Sequence, residues 1–247
     1  MSAFSPEELE RYARHLVLPE IGGPGQQKLK KAQVLMVGAG GLGAPALAYL
    51  AAAGVGHIRV VDDDVVSLSN LQRQIIHDTN AVGTAKVESA SRSLGRINPH
   101  CRLETIKDQF STSNAPALLD GVDVALDGSD NFATRFQLAD ACAAARLPLV
   151  TAAVNRFDGS LTVLAPYENN NPSLHDLYPD PPDDGLLPTC AETGILGAIT
   201  GVMGTLQALE AIKLITNAGE PLIGRLLMFE GLSLNFSTLR YKRKERP

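Results

Sequence analysis

The chain has 247 residues, 45% of them hydrophobic and 20% charged, and carries a formal net charge of -5. That is enough for one large or two small domains with a sizeable core, and the negative balance argues against a dedicated nucleic-acid binder, which is ordinarily basic. Its three cysteines, Cys101, Cys142 and Cys190, form no Cys-x-x-Cys pair. A disulfide framework is therefore not expected, and a reducing, cytoplasmic setting is the default.

The first residues, Met1-Ser2-Ala3-Phe4, lack the basic start and apolar stretch of a signal peptide. Ser5-Pro6-Glu7-Glu8 has the spacing of a capping box with proline at the first helical position, which predicts a helix to about His15. Gly22-Gly23-Pro24-Gly25 is expected to break the chain before a short basic helix over 26–31. Strand-like runs at 34–37, 58–61, 103–106, 122–126 and 149–152 then alternate with helical stretches at 42–53, 85–96, 115–119 and 131–145. This rhythm predicts an α/β fold, a Rossmann-like doubly wound mixed sheet whose N-terminal part is parallel.

After Val154 the rhythm changes. Residues 160–164 read as a strand, and 167–188 form an Asn-, Pro- and Asp-rich stretch too long and polar for a quiet connection, hence a mobile or functional loop. A long apolar helix covers 194–217. Gln207, Glu210 and Lys213 interrupt it and Gly194, Gly197, Gly201 and Gly204 suggest close packing, so a buried helix is expected and no membrane. Runs at 225–229 and 232–240 read as a hairpin across Glu230-Gly231 that extends the sheet in antiparallel fashion. No internal repeat is visible. The whole chain, 1–247, reads as a single domain: N-terminal helices over 1–31, a nucleotide-binding half over 32–153 and a second half over 154–247. The basic tail Arg240-Tyr241-Lys242-Arg243-Lys244-Glu245-Arg246 reads as a solvated terminus or a dock for an acidic partner.

Gly38-Ala39-Gly40-Gly41-Leu42-Gly43 follows the first strand and opens a helix. Gly38, Gly40 and Gly43 allow a tight turn whose backbone N–H groups approach phosphate. Asp62, closing the second strand, suits ribose hydroxyls. Both features are shared by dinucleotide and ATP sites. The residues that follow separate them. Asn70 and Arg73 lie past the second strand, Lys86 opens the next helix, and Asp130 in Asp127-Gly128-Ser129-Asp130-Asn131 lies at a strand's carboxyl end. Cations gathered there suit a triphosphate, and a carboxylate suits its Mg²⁺, whereas a nicotinamide ring needs neither.

These motifs resemble those of the ThiF/MoeB/HesA family, bacterial relatives of ubiquitin-activating enzymes. The likeness runs from Arg11-Tyr12-Ala13-Arg14-His15 through the glycine turn, Asp62-Asp63-Asp64, Ser69-Asn70-Leu71-Gln72-Arg73-Gln74, Lys86-Val87-Glu88 and Asp127–Asn131 to the last strands. The resemblance implies an ATP-dependent adenylyltransferase. Its substrate is the C-terminal glycine of a small ubiquitin-like sulfur-carrier protein ending in Gly-Gly. It implies that Gly38, Gly40, Gly41, Gly43, Asp62, Asp64, Asn70, Arg73, Lys86 and Asn131 hold ATP, with Asp130 on Mg²⁺. Arg14 would come from the second subunit of a homodimer, and the half over 154–247 would face the carrier.

Many members of that family hold a structural zinc with two Cys-x-x-Cys pairs. Here the loop reads Asn169-Asn170-Asn171-Pro172-Ser173-Leu174-His175 and the tail has no cysteine, so no structural zinc is expected. Cys190 stands where relatives carry a cysteine able to link covalently to the carrier. It reads equally as a small packed residue. Cys101 and Cys142 read as semi-buried, and His77 and His175 as packing or solvated residues ahead of partner contacts. Three alternatives remain in view: a family member that activates another substrate (a tRNA adenosine or a peptide terminus), a nicotinamide-dependent oxidoreductase, and a catalytically silent carrier-binding module. Carrier and pathway, molybdopterin or thiamine, are not legible.

Overall fold

A computed structural model of the chain describes residues 4–179 and 194–244. Three helices precede the sheet: α1 (Pro6–Arg11), α2 (Ala13–Leu16) and α3 (Gly22–Lys31). Ser5 caps α1 as predicted: its Oγ accepts from Glu8 N (3.1 Å) and Glu8 Oε2 accepts from Ser5 N (2.8 Å). The expected single helix to His15 is broken at Tyr12. That side chain is buried, its hydroxyl accepts from Asn98 Nδ2 (2.9 Å), and its ring covers Gly54. Gly22-Gly23-Pro24-Gly25 was expected to precede a helix and instead forms the first turn of α3. First-turn N–H groups have no intrahelical partner, so proline loses no bond there. Packing of Gly25 between Ile21 and Thr216 supplies what propensity does not.

The sheet then builds through β1 (Gln33–Val37), α4 (Gly43–Ala53), β2 (His57–Val61), α5 (Lys86–Ile97), β3 (Arg102–Ile106), α6 (Ala115–Leu119), β4 (Val124–Asp127), α7 (Phe132–Ala145) and β5 (Leu149–Asn155). β6 (Asp158–Leu164), the short α8 (Leu174–Leu177), α9 (Gly197–Thr216), β7 (Arg225–Glu230) and β8 (Asn235–Arg240) complete it. One sheet holds all eight strands in the order β3-β2-β1-β4-β5-β6-β7-β8. Pairings from β3 to β5 are parallel and those from β5 to β8 antiparallel. Strand order reverses between β1 and β4, which opens a crevice outside their carboxyl ends.

Leu29, Leu47, Leu50, Leu94 and Met203 pack one face of the sheet, and Leu118, Phe136, Leu138 and Cys142 the other. α9 has the length and mean hydropathy (1.3) of a bilayer-spanning helix. It lies instead against α4, β5 and β6. Gln207 Nε2 donates to the Asp127 carbonyl (2.8 Å), and Glu210 accepts from Leu222 N (2.8 Å) and pairs with Lys213 (2.5 Å). Two of the polar residues that interrupt its apolar run thus bond to the domain itself. β5 and β6 meet across Arg156 and Phe157, with Arg156 at φ 53°. The sequence carried no glycine to announce that turn.

Candidate functional site

The crevice is floored by the turn after β1. Gly38 has φ +93° and donates its N–H to the Val61 carbonyl (2.8 Å). A Cβ there would fall 2.6 Å from Gly128 O, and one on Gly43 would fall 2.0 Å from Gly38 O. Only glycine satisfies either position, because backbone rather than a flexible side chain occupies the space. Gly40 differs. Nothing nearer than Gln74 Nε2, at 3.6 Å, would meet a Cβ at Gly40. The protein's own packing does not require that small residue, so the room left there suits a ligand.

The polar groups of Ala39 are both committed. Its N–H donates to Asp62 Oδ2 (2.8 Å), and its carbonyl accepts from His77 Nε2 (3.1 Å). Since a carbonyl only accepts, Nε2 carries a proton, and Nδ1 lies 2.8 Å from Ser89 Oγ, a hydroxyl able to donate to it. Burial, with the Lys86 charge nearby, holds the His77 pKa below its ordinary value. The amides of Gly40, Gly41 and Leu42 have no acceptor among the described residues. They stand at the N-terminus of α4, where N–H groups and the helix dipole favour an anion.

Carboxylates and cations frame these amides. Asp62 Oδ1 also accepts from Asp64 N (2.9 Å), and burial raises the Asp62 pKa against the opposing pull of Lys86. Lys86 opens α5, buries its stem and pairs with Asp64 at 2.6 Å. The lysine side chain is 7% exposed and the aspartate 67%. Arg73 donates to the Ser69 carbonyl (3.1 Å), and its Cδ lies 3.5 Å from where a Gly41 Cβ would stand. Asn70 Oδ1 accepts from Ser67 N (3.0 Å), which closes the short turn that presents Arg73. Asn131 caps α7 by accepting from Thr134 N (2.8 Å). Asp130 is exposed and has no hydrogen-bond or ion-pair partner among the described residues.

Gly38, Gly40, Gly41, Gly43, Asp62, Asp64, Arg73 and Lys86 are thus linked around this turn, Asn70 closes the turn that presents Arg73, and Asp130 and Asn131 lie in the loop after β4, whose Gly128 packs on Gly38. Arg14 is exposed on α2, beside Tyr12, which covers the C-terminal end of α4. With 11 residues α4 is about 16 Å long, so Arg14 stands at the far end from its own chain's glycine turn. Cys190 lies outside the described residues, as does the stretch 180–188 of the expected loop. Cys101 and Cys142 are buried, and burial pushes both thiols up to about 12. The start of the loop is tied to the tail: Asp176 Oδ1 accepts from Lys244 N (2.9 Å) and its Oδ2 from Ser173 N (2.7 Å).

Sequence reasoning gave no role to Gln74, Asp127 or Arg135. Gln74 is buried beside Gly40, and its Oε1 has no partner among the described residues. Asp127 and Arg135 are joined at 2.8 Å under the Asp130 loop. The clue for the pair was an acid and a base eight residues apart flanking a helix start, a spacing too common to single out.

The donor set suits Mg²⁺, which takes oxygen ligands and usually relies on one or two carboxylates plus substrate phosphates. Asp130 and Asp64 supply carboxylates. No group of three or more His, Cys, Asp or Glu able to hold a metal alone is present among the described residues. The ion would therefore complete its shell on the phosphates.

Residues 12–247 match the ThiF family. The probable adenylyltransferase/sulfurtransferase MoeZ of Mycobacterium tuberculosis is 47% identical over 245 residues, covering 98% of this chain, which spans 62% of that protein's length. The SAMP-activating enzyme E1 of Haloferax volcanii is 45% identical over 235 residues, covering 95% of this chain and 86% of that one. Among solved structures, E. coli MccB with AMPCPP and MccA superimposes with a TM-score of 0.80 at 18% identity, over 98% of this chain and 81% of that one. That likeness speaks for the fold.

Proposed function

The chain belongs to the ThiF family, and from that premise we propose that it uses ATP to adenylate the C-terminal glycine carboxylate of a small ubiquitin-like sulfur-carrier protein ending in Gly-Gly. The observation that carries this reading is the row of amides at Gly40, Gly41 and Leu42, without acceptors among the described residues, with Arg73 beside Gly41 and with Lys86 tied through Asp64 to Asp62 at Ala39. The relatives' names, an adenylyltransferase/sulfurtransferase and a SAMP-activating enzyme, support it.

In this reading Gly38, Gly40, Gly41 and Gly43 leave room and amides for the phosphates, and Asp62 takes the ribose hydroxyls. Asn70, Arg73 and Lys86 hold the triphosphate, with Asn131 close by. Asp130, helped by Asp64, holds Mg²⁺. When bound, that ion neutralises phosphate charge. Carboxylate and α-phosphate repel: unit charges 4 Å apart interact by about 1 kcal/mol in water and about 4 kcal/mol at an effective dielectric of roughly 20. Arg73 and Lys86 offset that repulsion. A carboxylate oxygen bonds to the α-phosphorus while the bond to the bridging oxygen breaks, and pyrophosphate leaves with the electron pair. The nucleophile is already ionised, so no general base is required, and positioning with electrostatics supplies the rate. Arg14 serves the site of a second copy in a homodimer, a role its distance from its own glycine turn supports. The exposed hairpin of β7 and β8 offers the carrier an apolar face, and the family resemblance assigns Cys190 a covalent link to the carrier after adenylation.

ATP–pyrophosphate exchange, measured with each candidate carrier, tests this. Exchange should depend on the carrier's last glycine and fall at least ~100-fold in Arg73→Ala and in Asp130→Ala, with circular dichroism and melting unchanged. Near-normal exchange in both variants would remove the site assignment.

A further inference from the structure

Asp127 ends β4 with 0% exposure and has no part in the roles given above. Its Oδ1 accepts from Ser129 N (3.0 Å) and Ser129 Oγ (2.5 Å), and its Oδ2 from Arg135 Nε (2.8 Å) and Thr151 Oγ1 (2.7 Å). Arg135 is itself held by the Ala152 carbonyl (3.0 Å) and lies over the Phe132 ring at 5.3 Å. A carboxylate without solvent contact persists when donors surround it, and four converge here. One side chain thus joins β4, β5, α7 and the loop 128–131.

That loop is pinned at both ends. Gly128 N donates to the Val37 carbonyl (2.7 Å) beside the glycine turn, Ser129 is bound to Asp127, and Asn131 caps α7. Between the pins stands Asp130, exposed and unpartnered among the described residues. We propose that Asp127 is a positioning residue: through Ser129 it sets where the Asp130 carboxylate stands against the glycine turn, and so how firmly a divalent cation is held on the nucleotide. This rests on the reading of Asp130 as the cation's carboxylate. A carboxylate that only braces the core transmits the loss of either hydroxyl partner alike. A positioning one transmits only the loss of the partner within the Asp130 loop.

Asp127→Asn would strand the Arg135 charge and is expected to unfold, so the two hydroxyls carry the test. Ser129→Ala and Thr151→Val each remove one hydroxyl from the same carboxylate. The measurement is an electron-spin-resonance titration of Mn²⁺ into the full chain with an α,β-methylene ATP analogue, alongside thermal melting. Ser129→Ala should raise the half-saturating Mn²⁺ concentration about tenfold with little change in melting. Ser129→Thr should restore wild-type binding, and Thr151→Val should bind as wild type whatever its melting temperature. Any other pattern in protein whose wild type binds Mn²⁺ overturns the positioning role alone. Absence of binding in the wild type removes the ATP reading and this inference with it.

Discussion

Two regions of the sheet are built to different tolerances. At the carboxyl ends of β1 and β4 the backbone interlocks: positions 38 and 43 have no room for a methyl group, and Ala39 and Asp127 have their polar groups paired. At the sheet's edge β8 has most side chains exposed, and Leu232 and Leu234 in the turn before it are 80% and 77% exposed. Close packing concentrates at the glycine turn that the proposed function gives to the phosphates. Leu232, Leu234, Phe236 and Leu239 leave a run of exposed apolar side chains along the hairpin. Gly43→Ala gives the sharpest test of this contrast. Its Cβ would meet Gly38 O at 2.0 Å, and since that oxygen is backbone and the Cβ position is fixed by the backbone it is built on, the turn must shift. The urea midpoint should report a loss of ~3 kcal/mol or more. A loss under ~1 kcal/mol would mean the turn is as yielding as the hairpin.

The interlocked end also carries a pH signature. His77 is buried neutral with a lowered pKa. The unfolded chain therefore binds its proton more readily, and stability rises with pH through the window below about 6.5 and is fully present above it. His57, lowered mainly by burial, acts in the same direction. Asp62 runs the opposite way: its pKa is raised, so its contribution is lost as pH climbs from the ordinary aspartate value. Each histidine adds at most about 1.4 kcal/mol per pH unit. Stability measured by urea unfolding between pH 5 and 7 should slope upward in the wild type and lose the His77 share in His77→Gln. An unchanged slope in that variant would show that His77 does not hold the Ala39 carbonyl as a neutral ring.

Much of the interlocked end was legible. A strand leading into Gly38-Ala39-Gly40-Gly41-Leu42-Gly43, and acids and cations after the next strand, are local signals, and Asp62, Arg73 and Lys86 stand around that turn. Asp127 was not legible as an anchor, because Thr151 lies 24 residues on and Gln207, which binds its carbonyl, 80. The break at Tyr12 escaped for the same reason: its cause, Asn98, is 86 residues away. The glycines and proline of α3 misled because turn chemistry is local, while Gly25 is held by Thr216 from the far end of the chain. At the hairpin, the end of β7 was placed within a residue. The start of β8 moved from 232 to Asn235 because Leu234 turns left-handed, at φ 52°.

Leu234 gives the smallest effect and bears on the other half of the contrast. A leucine in the left-handed region costs about 1–2 kcal/mol, whereas asparagine visits it readily. Nothing in the fold compensates by burial, since the side chain is 77% exposed. Leu234→Asn should therefore gain about 0.5–1 kcal/mol in urea unfolding. If the hairpin receives the carrier, the same change should weaken carrier binding in calorimetry, because it removes apolar surface from the contact. Gain in one measurement and loss in the other would mean that the fold tolerates a strained, exposed leucine for the sake of a second chain. Unchanged binding would leave the hairpin a plain edge and move the carrier's docking face elsewhere.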